Sequence, residues 1–439
     1  MSKLLGLMRV AGMLITVAGC AHRDGGSILP VADHHQHLLS PVTAPMAGGT
    51  KLAAVVLPEE LAALVRERVA HWNEKGPLAA LYTEDAVFLD RWDPNWLRGR
   101  DEVADYVSTQ FARPYTVTPV AFGVTGNGAY IAAYFTRGEG EAAKHFGHVQ
   151  WSLVKGGDGV WRIAAETPAF PGPPMRDVIT AEQRIGELDA AGIRKAAVLS
   201  TAYWFGSPLR PPVEHEYEKV RAENDWVVGQ VAQYPGRLYA LCSFNPLKDY
   251  AIAELERCAA MPQVRGIKLH FGNSGVDVRN PEHVETLRRV FRAANEHKLA
   301  IVAHLWTSDT RYGAEDAKIF LERLLPEAPD VTVQIAHFAG GGPGYTDEAL
   351  GVYADAIARH DRRTKNLYFD VATVADQQSE AVLQTFAKRI RQVGTKRVLF
   401  GTDLGPPLPR QSWMIFRTTV PLTDDELRVI AGNVAPYLR

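Results

Sequence analysis

VADHHQHLLSP, residues 31–41, places three histidines and an aspartate within five consecutive positions. Because side chains alternate between the two faces of a β-strand, Asp33, His35 and His37 would share one face and His34 would lie on the other. Two imidazoles on one face can bind the same metal ion. The stretch therefore predicts either a metal-binding strand or a polar linker, and the sequence on both sides has to distinguish the two.

The first twenty residues, 1–20, have the features of an export signal. Lys3 and Arg9 precede the apolar run VAGMLITVAG, which is shorter than the ~20 apolar residues that a membrane-spanning helix needs. The run ends in VAGC, which resembles the lipobox of bacterial lipoproteins and implies cleavage before Cys20 and lipid attachment to it. With Ala21 next, the resemblance implies an exported protein, lipid-anchored at the periplasmic side of the outer membrane. The alternative is an ordinary signal peptide with a chance cysteine.

The overall composition is that of a globular protein with two or three domains, since 46% of the 439 residues are hydrophobic and 22% are charged. Lys and Arg number 48 against 50 Asp and Glu, and no basic stripe alternates with aromatic residues, so we expect no nucleic-acid partner. The other two cysteines are Cys242, in an apolar strand, and Cys258, on the following helix. We expect them to be buried, unpaired thiols.

Residues 50–170 have the pattern of a separate α+β domain. LPEELAALVRERVAHWNEKG has the apolar spacing of an amphipathic helix, and three alternating stretches follow it: YTVTPVAFGVTG, AYIAAYFTRG and HFGHVQWSLVKGGDGVWRIAAE. Together with phrases such as ALYTEDAVF and LRGRDEVADY, this order resembles the SnoaL-like cone fold. Members of that fold include cyclases, isomerases and modules that only bind or dimerise, so the resemblance implies a fold and no particular activity.

Past the proline-rich joint FPGPPM, apolar strands alternate with amphipathic helices, which predicts a parallel sheet covered by helices. Seven strands can be counted: IRKAAVLS, RLYALCSFNP, RGIKLHF, LAIVAHLW, VTVQIAHFAGGG, NLYFDVAT and RVLFGTDLG. A closed barrel needs eight, and VADHHQHL supplies the first. We therefore predict an α/β fold, a (β/α)8 TIM barrel: residues 28–49 hold strand one, residues 50–170 form the inserted SnoaL-like domain on the catalytic side, and residues 176–439 complete the barrel. His34 then faces the helices in a structural position.

Polar side chains end several of these apolar strands. Lys268 and His270 follow RGI, His304 follows LAIVA, His337 follows VTVQIA and Asp403 follows RVLFGT. The carboxyl ends of barrel strands meet at the face where barrel enzymes bind their substrates. We therefore expect these groups to converge with the inward-facing histidines of strand one.

The same motifs resemble the amidohydrolase superfamily, in particular its amidohydrolase-related branch of hydrolases, lactonases, hydratases and aminocarboxymuconate-semialdehyde-type decarboxylases. The matching text is DHHQH, GIKLH, AHL, AHFAGG and GTD at the ends of strands one, four, five, six and eight, and the match covers residues 31–41 and 176–439. The resemblance implies a divalent ion, zinc or a similar metal, with the ligands His35, His37, His304 and Asp403.

The resemblance also implies catalytic roles for Asp403, His337 and Lys268. Asp403 would be ligand and proton shuttle together, while His337 would lie beside the attacking water and would orient it or stabilise the developing oxyanion. Lys268 would be carboxylated and bridge two ions, or remain an ammonium that holds an anionic substrate group, or only cap the mouth of the barrel. We expect one ion, and two if Lys268 is carboxylated.

Aromatic residues near the predicted mouth suit a small substrate that is apolar or contains a ring. We expect substrate contacts from His270, Trp306, Tyr203 and Trp204. The oligomeric state is left open, and a homo-oligomer is compatible with the sequence. Since strand one enters from the amino-terminal side of the barrel, that side is expected to lie toward the membrane.

Three hypotheses for the function follow. The leading one is a hydrolase that uses a metal-activated water to cleave an amide, ester or lactone-like bond. The second keeps the metal site but makes the reaction non-oxidative decarboxylation of an aromatic or unsaturated acid, with Lys268 or Arg311 holding a carboxylate. The third is a small-molecule binding or dimerisation protein that works through the SnoaL-like domain and has an inactive barrel.

Overall fold

The computed structural model describes residues 28–47, 52–89, 96–109, 115–137, 144–169, 178–306, 312–341, 345–376, 378–405 and 408–439. The predicted signal with Cys20, and Arg311, lie outside the described residues. Among the described helices, none is both long and apolar enough to cross a membrane.

The histidine-rich stretch forms the first strand of a barrel. β1 (Ala32–Gln36) is buried along its whole length, and His37 directly follows its last residue. The short helix α1 (Ala44–Ala47) comes next, before the chain enters the inserted segment. The stretch is therefore a strand, and the linker interpretation of it is wrong.

Residues 52–169 fold around a sheet and a core of their own. The elements are α2 (Glu59–Glu74), β2 (Tyr82–Leu89), β3 (Trp96–Arg98), α3 (Arg100–Ser108), β4 (Tyr115–Thr125), β5 (Gly128–Arg137), β6 (Lys144–Lys155) and β7 (Trp161–Ala169). In α2, Leu61, Leu64 and Trp72 recur at helical spacing and are buried in this core. The helix ends at Lys75, whose backbone has the left-handed conformation. The sheet order is β3-β2-β7-β6-β5-β4. The likeness of this unit to the SnoaL-like fold stays a prediction from the sequence.

Residues 178–439 supply the other barrel strands and the helices that cover them. In chain order these elements are α4 (Ala181–Ala191), β8 (Lys195–Leu199), α5 (Glu216–Ala232), β9 (Leu238–Ser243), α6 (Ala251–Ala259), β10 (Val264–His270), α7 (Phe271–Ser274), α8 (Pro281–Glu296), β11 (Ala300–His304), α9 (Ala314–Ile319), β12 (Val333–Ile335), α10 (Asp347–Ala358), β13 (Leu367–Asp370), α11 (Glu380–Val393), β14 (Val398–Leu399), α12 (Pro409–Thr419) and α13 (Asp424–Gly432). The eight strands form one sheet in the order β1-β8-β9-β10-β11-β12-β13-β14.

The last strand returns to the first and closes the barrel. The backbone N–H of His34 donates to the carbonyl oxygen of Phe400 at 2.9 Å, and that of Asp403 donates to the carbonyl oxygen of His35 at 2.6 Å. The buried His34 ring adds a bond from Nδ1 to the same Phe400 oxygen and accepts at Nε2 from the N–H of Ala435. The predicted (β/α)8 barrel is confirmed, and His34 helps to hold its seam.

One sequence-based prediction about the core is wrong. Cys242 and Cys258 form a disulfide, although we expected two unpaired thiols. The helix α6 folds back against β9 and brings the two Cα atoms to 6.4 Å, a separation that a disulfide spans. Both cysteines are buried in the barrel's main hydrophobic core.

Candidate metal centre and active site

The carboxyl ends of the barrel strands carry the predicted site residues to one face of the molecule. Apolar side chains fill the barrel below them and force the polar residue at each strand end to the rim. The residues concerned are His35 on β1, His37 after it, Lys268 and His270 on β10, His304 on β11, His337 after β12 and Asp403 after β14.

Two of these residues have an unfavourable backbone conformation. His337 and Asp403 have φ angles of 52° and 75°, in the left-handed region that costs a residue other than glycine about 1–3 kcal/mol. Such conformations persist where the surrounding structure enforces them, and they concentrate at functional sites. The strain is consistent with a functional requirement for the positions of these two side chains.

Three imidazoles at the rim are fixed in the same tautomer. His35 Nδ1 lies 3.1 Å from the Asp370 carboxylate, His37 Nδ1 lies 2.7 Å from the Leu199 carbonyl oxygen, and His337 Nδ1 lies 2.9 Å from the Ala372 carbonyl oxygen. A carboxylate or a carbonyl oxygen can only accept a hydrogen bond. Because each partner accepts, each Nδ1 carries the proton and donates it. The Nε2 atom of each ring is then unprotonated and carries a lone pair; that of His35 lies 3.2 Å from the Lys268 ammonium.

Those Nε2 lone pairs surround one carboxylate. Asp403 Oδ1 lies 3.5 Å from His35 Nε2 and 3.3 Å from His37 Nε2, and Asp403 Oδ2 lies 3.5 Å from His337 Nε2. Unprotonated nitrogens and a carboxylate repel one another unless a cation lies between them, and imidazole with carboxylate is a ligand set of zinc and similar ions. The donor set therefore fits the divalent ion that the sequence predicts.

The electrostatics favour the protonation states that a metal ion requires. Burial, reinforced by the nearby Lys268 ammonium, lowers the pKa of His35 to about 4, and burial also lowers the pKa of His37. Burial alone would raise the pKa of Asp403, but the interactions of its carboxylate with His35 and the neighbouring histidines hold the pKa well below its usual range. At neutral pH His35 and His37 are neutral ligands and Asp403 is a carboxylate.

The sequence predicts His304 as a metal ligand. In the structure it lies beside the candidate metal centre and is not part of the compact set of ligand atoms. Among the described residues, the compact set of ligand atoms comprises His35, His337 and Asp403, whose ligand atoms lie within 4.8 Å of one another. The His304 ring stacks on His270 with centroids 3.9 Å apart and lies 5.0 Å from the His337 ring. Its buried Nδ1 has no hydrogen-bond partner among the described residues. Its role as a ligand stays a prediction, and His337 becomes a further ligand candidate.

Lys268 is buried against the imidazoles of the candidate metal centre. Its Nζ atom lies 3.2 Å from His35 Nε2, and the side chain is only 1% exposed. Burial lowers the pKa of Lys268 to about 8. An amine in this position reaches the reaction centre, so its placement argues against the interpretation that Lys268 only caps the mouth.

The predicted substrate residues lie around the same histidines. The Tyr203 ring lies 5.0 Å from the His270 ring, and the Arg210 guanidinium stacks over Trp204 at 4.7 Å from the ring centroid. Trp306, just after β11, keeps 40% of its surface exposed. The rim thus offers aromatic surface together with a cation, Arg210, that the sequence-based prediction did not include.

A model of a protein family described as Amidohydrolase matches residues 195–433, more than half of the chain. The chain belongs to the amidohydrolase family. Membership of this enzyme family, with the site intact, argues against the hypothesis of an inactive barrel.

Several solved structures resemble this amidohydrolase. A 5-carboxyvanillate decarboxylase from Sphingomonas paucimobilis is similar over 57% of this chain and 80% of its own, with 19% identity and a TM-score of 0.41. A protein named IDCase from Metarhizium anisopliae is similar over 93% of this chain and 97% of its own, with 15% identity and a TM-score of 0.46. No curated protein sequence matched the chain. Likeness at this level carries no information about the substrate.

Asp370 is the residue of the amidohydrolase site that the sequence-based prediction missed. Its fully buried carboxylate accepts from His35 Nδ1, from the amide of Gln334 at 2.7 Å and from the backbone N–H groups of His337 and Ala372. It thereby orients the His35 ring and holds the backbone of His337, whose ring is oriented by the Ala372 oxygen. The available signal was its position as the polar last residue of the apolar strand NLYFD, the same pattern that identified the other strand-end residues.

Proposed function

We propose that this amidohydrolase is a metal-dependent hydrolase that cleaves an amide, ester or lactone-like bond of a small molecule. The observation that supports it is the convergence of three imidazole Nε2 lone pairs on Asp403, with every Nδ1 held by an acceptor. We propose zinc or a similar divalent ion as the cofactor. The ligands would be His35, His37 and Asp403, with His304 and His337 as the candidates for the remaining position.

The ion, when bound, would act as a Lewis acid and would lower the pKa of a bound water to about 7. The Asp403 side chain keeps 23% of its surface exposed while the three imidazoles are almost fully buried, so the carboxylate faces the substrate side. Asp403 can accept the proton of the attacking water and pass it to the leaving group.

His337 contributes through its tautomer. With Nδ1–H donated to the Ala372 oxygen, the neutral ring offers only an acceptor at Nε2, which can orient a water but cannot donate to an oxyanion. Stabilisation of an oxyanion would require protonation of this ring first. The geometry therefore favours water orientation over the other role that the sequence left open.

Decarboxylation of an aromatic or unsaturated acid is the second candidate. It is favoured by two cations near the site: Lys268, within 3.2 Å of His35, and Arg210, stacked on Trp204. Either cation could hold a substrate carboxylate. Because a hydrolase with an anionic substrate would use the same groups, the reaction has to be determined by its products.

The first experiment tests the metal centre that both candidates require. A chain that lacks residues 1–20 should contain about one equivalent of divalent metal by elemental analysis, and the double variant His35→Ala/His37→Ala should lose it. The matched control, His283→Ala/His297→Ala, removes two histidines from the outer side of the barrel and should retain the metal. Unchanged metal content in the first variant would contradict both candidates.

The second experiment separates the two reactions. The metal-loaded enzyme is incubated with lactones, esters, N-acyl compounds and aromatic acids, and the release of alcohol, amine or carboxylate is compared with the release of CO₂. Hydrolytic products that disappear in Asp403→Asn support the proposal. Release of CO₂ without hydrolysis would replace it with decarboxylation.

We further propose that the enzyme is exported and anchored by lipid on Cys20. The disulfide between Cys242 and Cys258 supports export, because disulfides form and persist mainly in oxidising compartments. Incorporation of labelled palmitate into the wild-type chain, and its loss in Cys20→Ser, would test the anchor. Labelling of both chains, or of neither, would contradict it.

A further inference from the structure

The amino-terminal face of the barrel, opposite the metal centre, is rich in basic side chains. Loops on this face lead into the barrel strands. Apart from Arg237 before β9, which pairs with Asp189, five of the eight strands have Lys or Arg within two positions of their first residue. These side chains, the basic ring, are Arg194 and Lys195 at β8, Arg265 at β10, Lys298 before β11, Lys365 before β13, and Lys396 and Arg397 before β14.

The positive charge of the basic ring is not neutralised locally. None of its members forms an ion pair with an acidic residue in the part of the chain that the structure describes, and five of the seven are exposed. Three of the nearby acidic side chains are already paired with other arginines: Asp189 with Arg237, Asp361 with Arg363, and Glu327 with Arg288 and Arg292. A fourth, Asp330, contacts Asn295. The face therefore carries excess positive charge on a chain whose net charge is -2.

The amino terminus of the described chain lies on this same face. The N–H of Val31 donates to the oxygen of Ala431, and the N–H of Arg194 donates to the oxygen of Val31. A cleft of about 470 Å³ lies here, with Val31, Arg194, Lys195 and Arg439 among its lining residues. The eight-residue step from Cys20 to Ile28 spans at most roughly 26–29 Å when fully extended.

We propose that the basic ring lies against an anionic lipid surface and sets the orientation of the enzyme on the membrane. The inference rests on the lipid anchor proposed above for Cys20, because a short tether from that residue to this face would keep the face near the bilayer. A ring of cations without ion pairs, spread over a broad face, suits many lipid headgroups better than one ligand. Each Lys or Arg near an anionic surface strengthens binding about five-fold. The metal centre then opens away from the membrane.

Vesicle binding of the chain lacking residues 1–20 isolates the contribution of the ring from that of the anchor. The described part of the chain from residue 28 onward contains both sheets and both of their cores. The chain should co-sediment with vesicles that contain about one third phosphatidylglycerol, should not co-sediment with pure phosphatidylcholine, and should dissociate as salt is raised.

Charge removal tests the location of the binding face. Arg265→Gln/Lys298→Gln/Lys396→Gln should weaken vesicle binding roughly 100-fold, by three factors of about five. The matched control Arg289→Gln/Lys318→Gln/Lys388→Gln removes the same charge from the helices on the side of the barrel and should bind nearly as wild type. Equal loss in both variants, or no preference for anionic vesicles, would overturn the proposal.

Two further measurements complete the test. The two variants should have the thermal unfolding midpoint of the wild type, because all the replaced side chains are on the surface; a ring variant that binds weakly while remaining fully folded supports the proposal. Heparin and DNA serve as competing polyanions. If either binds the wild-type chain more tightly than the anionic vesicles do, the lipid assignment is wrong and the partner is a soluble polyanion.

Discussion

Replacement of Asp370 by asparagine should disrupt the metal centre without changing the size of any side chain. All four groups that face this carboxylate are donors: one oxygen accepts from His35 Nδ1 and Gln334 Nε2, and the other accepts from the backbone N–H groups of His337 and Ala372. An asparagine has one acceptor oxygen and one NH₂ group. In either orientation of the amide, two of the four donors would face another donor.

The magnitude follows from the number of bonds lost. Two hydrogen bonds to a charged group disappear at a cost of about 1.5–3 kcal/mol each, which gives about 3–6 kcal/mol divided between folding and metal binding. Loss of a residue that orients a metal-binding histidine typically lowers metal affinity 10- to 100-fold. We therefore expect Asp370→Asn to bind the ion 10- to 100-fold more weakly and to unfold at lower denaturant concentration.

Competition with a chelator of known affinity measures the first quantity, and urea unfolding measures the second. The matched control is Asp33→Asn, another fully buried carboxylate of the barrel. Its partners can adapt: the Thr402 hydroxyl can accept instead of donate, and the Gln36 Oε1 atom, buried without a partner, can accept from the new amide. If Asp370→Asn bound the ion as tightly as the wild type does, Asp370 would not fix the His35 tautomer.

Three further predictions each concern a substitution at one site. Lys268→Met should keep one ion per chain and lower kcat/KM about 10- to 100-fold, as expected for a lost charged hydrogen bond to substrate; a fall from two ions to one would instead reveal a carboxylated lysine. Glu166→Ala leaves Arg68 buried without its ion-pair partner and should cost about 3–5 kcal/mol of stability in denaturant unfolding, with recovery in Arg68→Met/Glu166→Leu. In Gly341→Ala the added Cβ would lie 2.6 Å from the Trp306 ring, so KM should change while the unfolding midpoint stays nearly constant.

The barrel could be predicted because its strands carry a strong local signal. A strand covered by helices is apolar on both faces, so stretches such as RGIKLHF and LAIVAHLW are recognisable without knowledge of their partners. β1, in which four of the five residues are polar, lacks this signal and was identified because a closed barrel needs eight strands and seven had been counted. The disulfide was not predictable in this way, because the approach of Cys242 to Cys258 depends on how α6 packs against β9.

The sequence predicted which residues lie at the candidate site more completely than it predicted how those residues are oriented. Strand-end positions identified His35, His37 and Asp403 from the sequence. The hydrogen-bond acceptors that orient the two imidazoles come from other strands. Leu199 contributes a backbone oxygen to His37, a contact that no side-chain pattern reveals. Asp370 was within reach of the same strand-end rule and was missed.

A buried carboxylate holds the chain in place between the first barrel strand and the inserted domain. Glu223, on α5, accepts hydrogen bonds from the hydroxyls of Ser40 at 2.5 Å, Thr43 at 3.1 Å and Thr201 at 3.4 Å. The first two belong to the segment between His37 and the inserted domain, and the third follows β8. Burial raises the pKa of Glu223, while the three hydroxyls favour its ionised form. The segment between His37 and the inserted domain is thus tied to the barrel by two hydrogen bonds to one buried carboxylate, which fixes the chain on the domain side of His37.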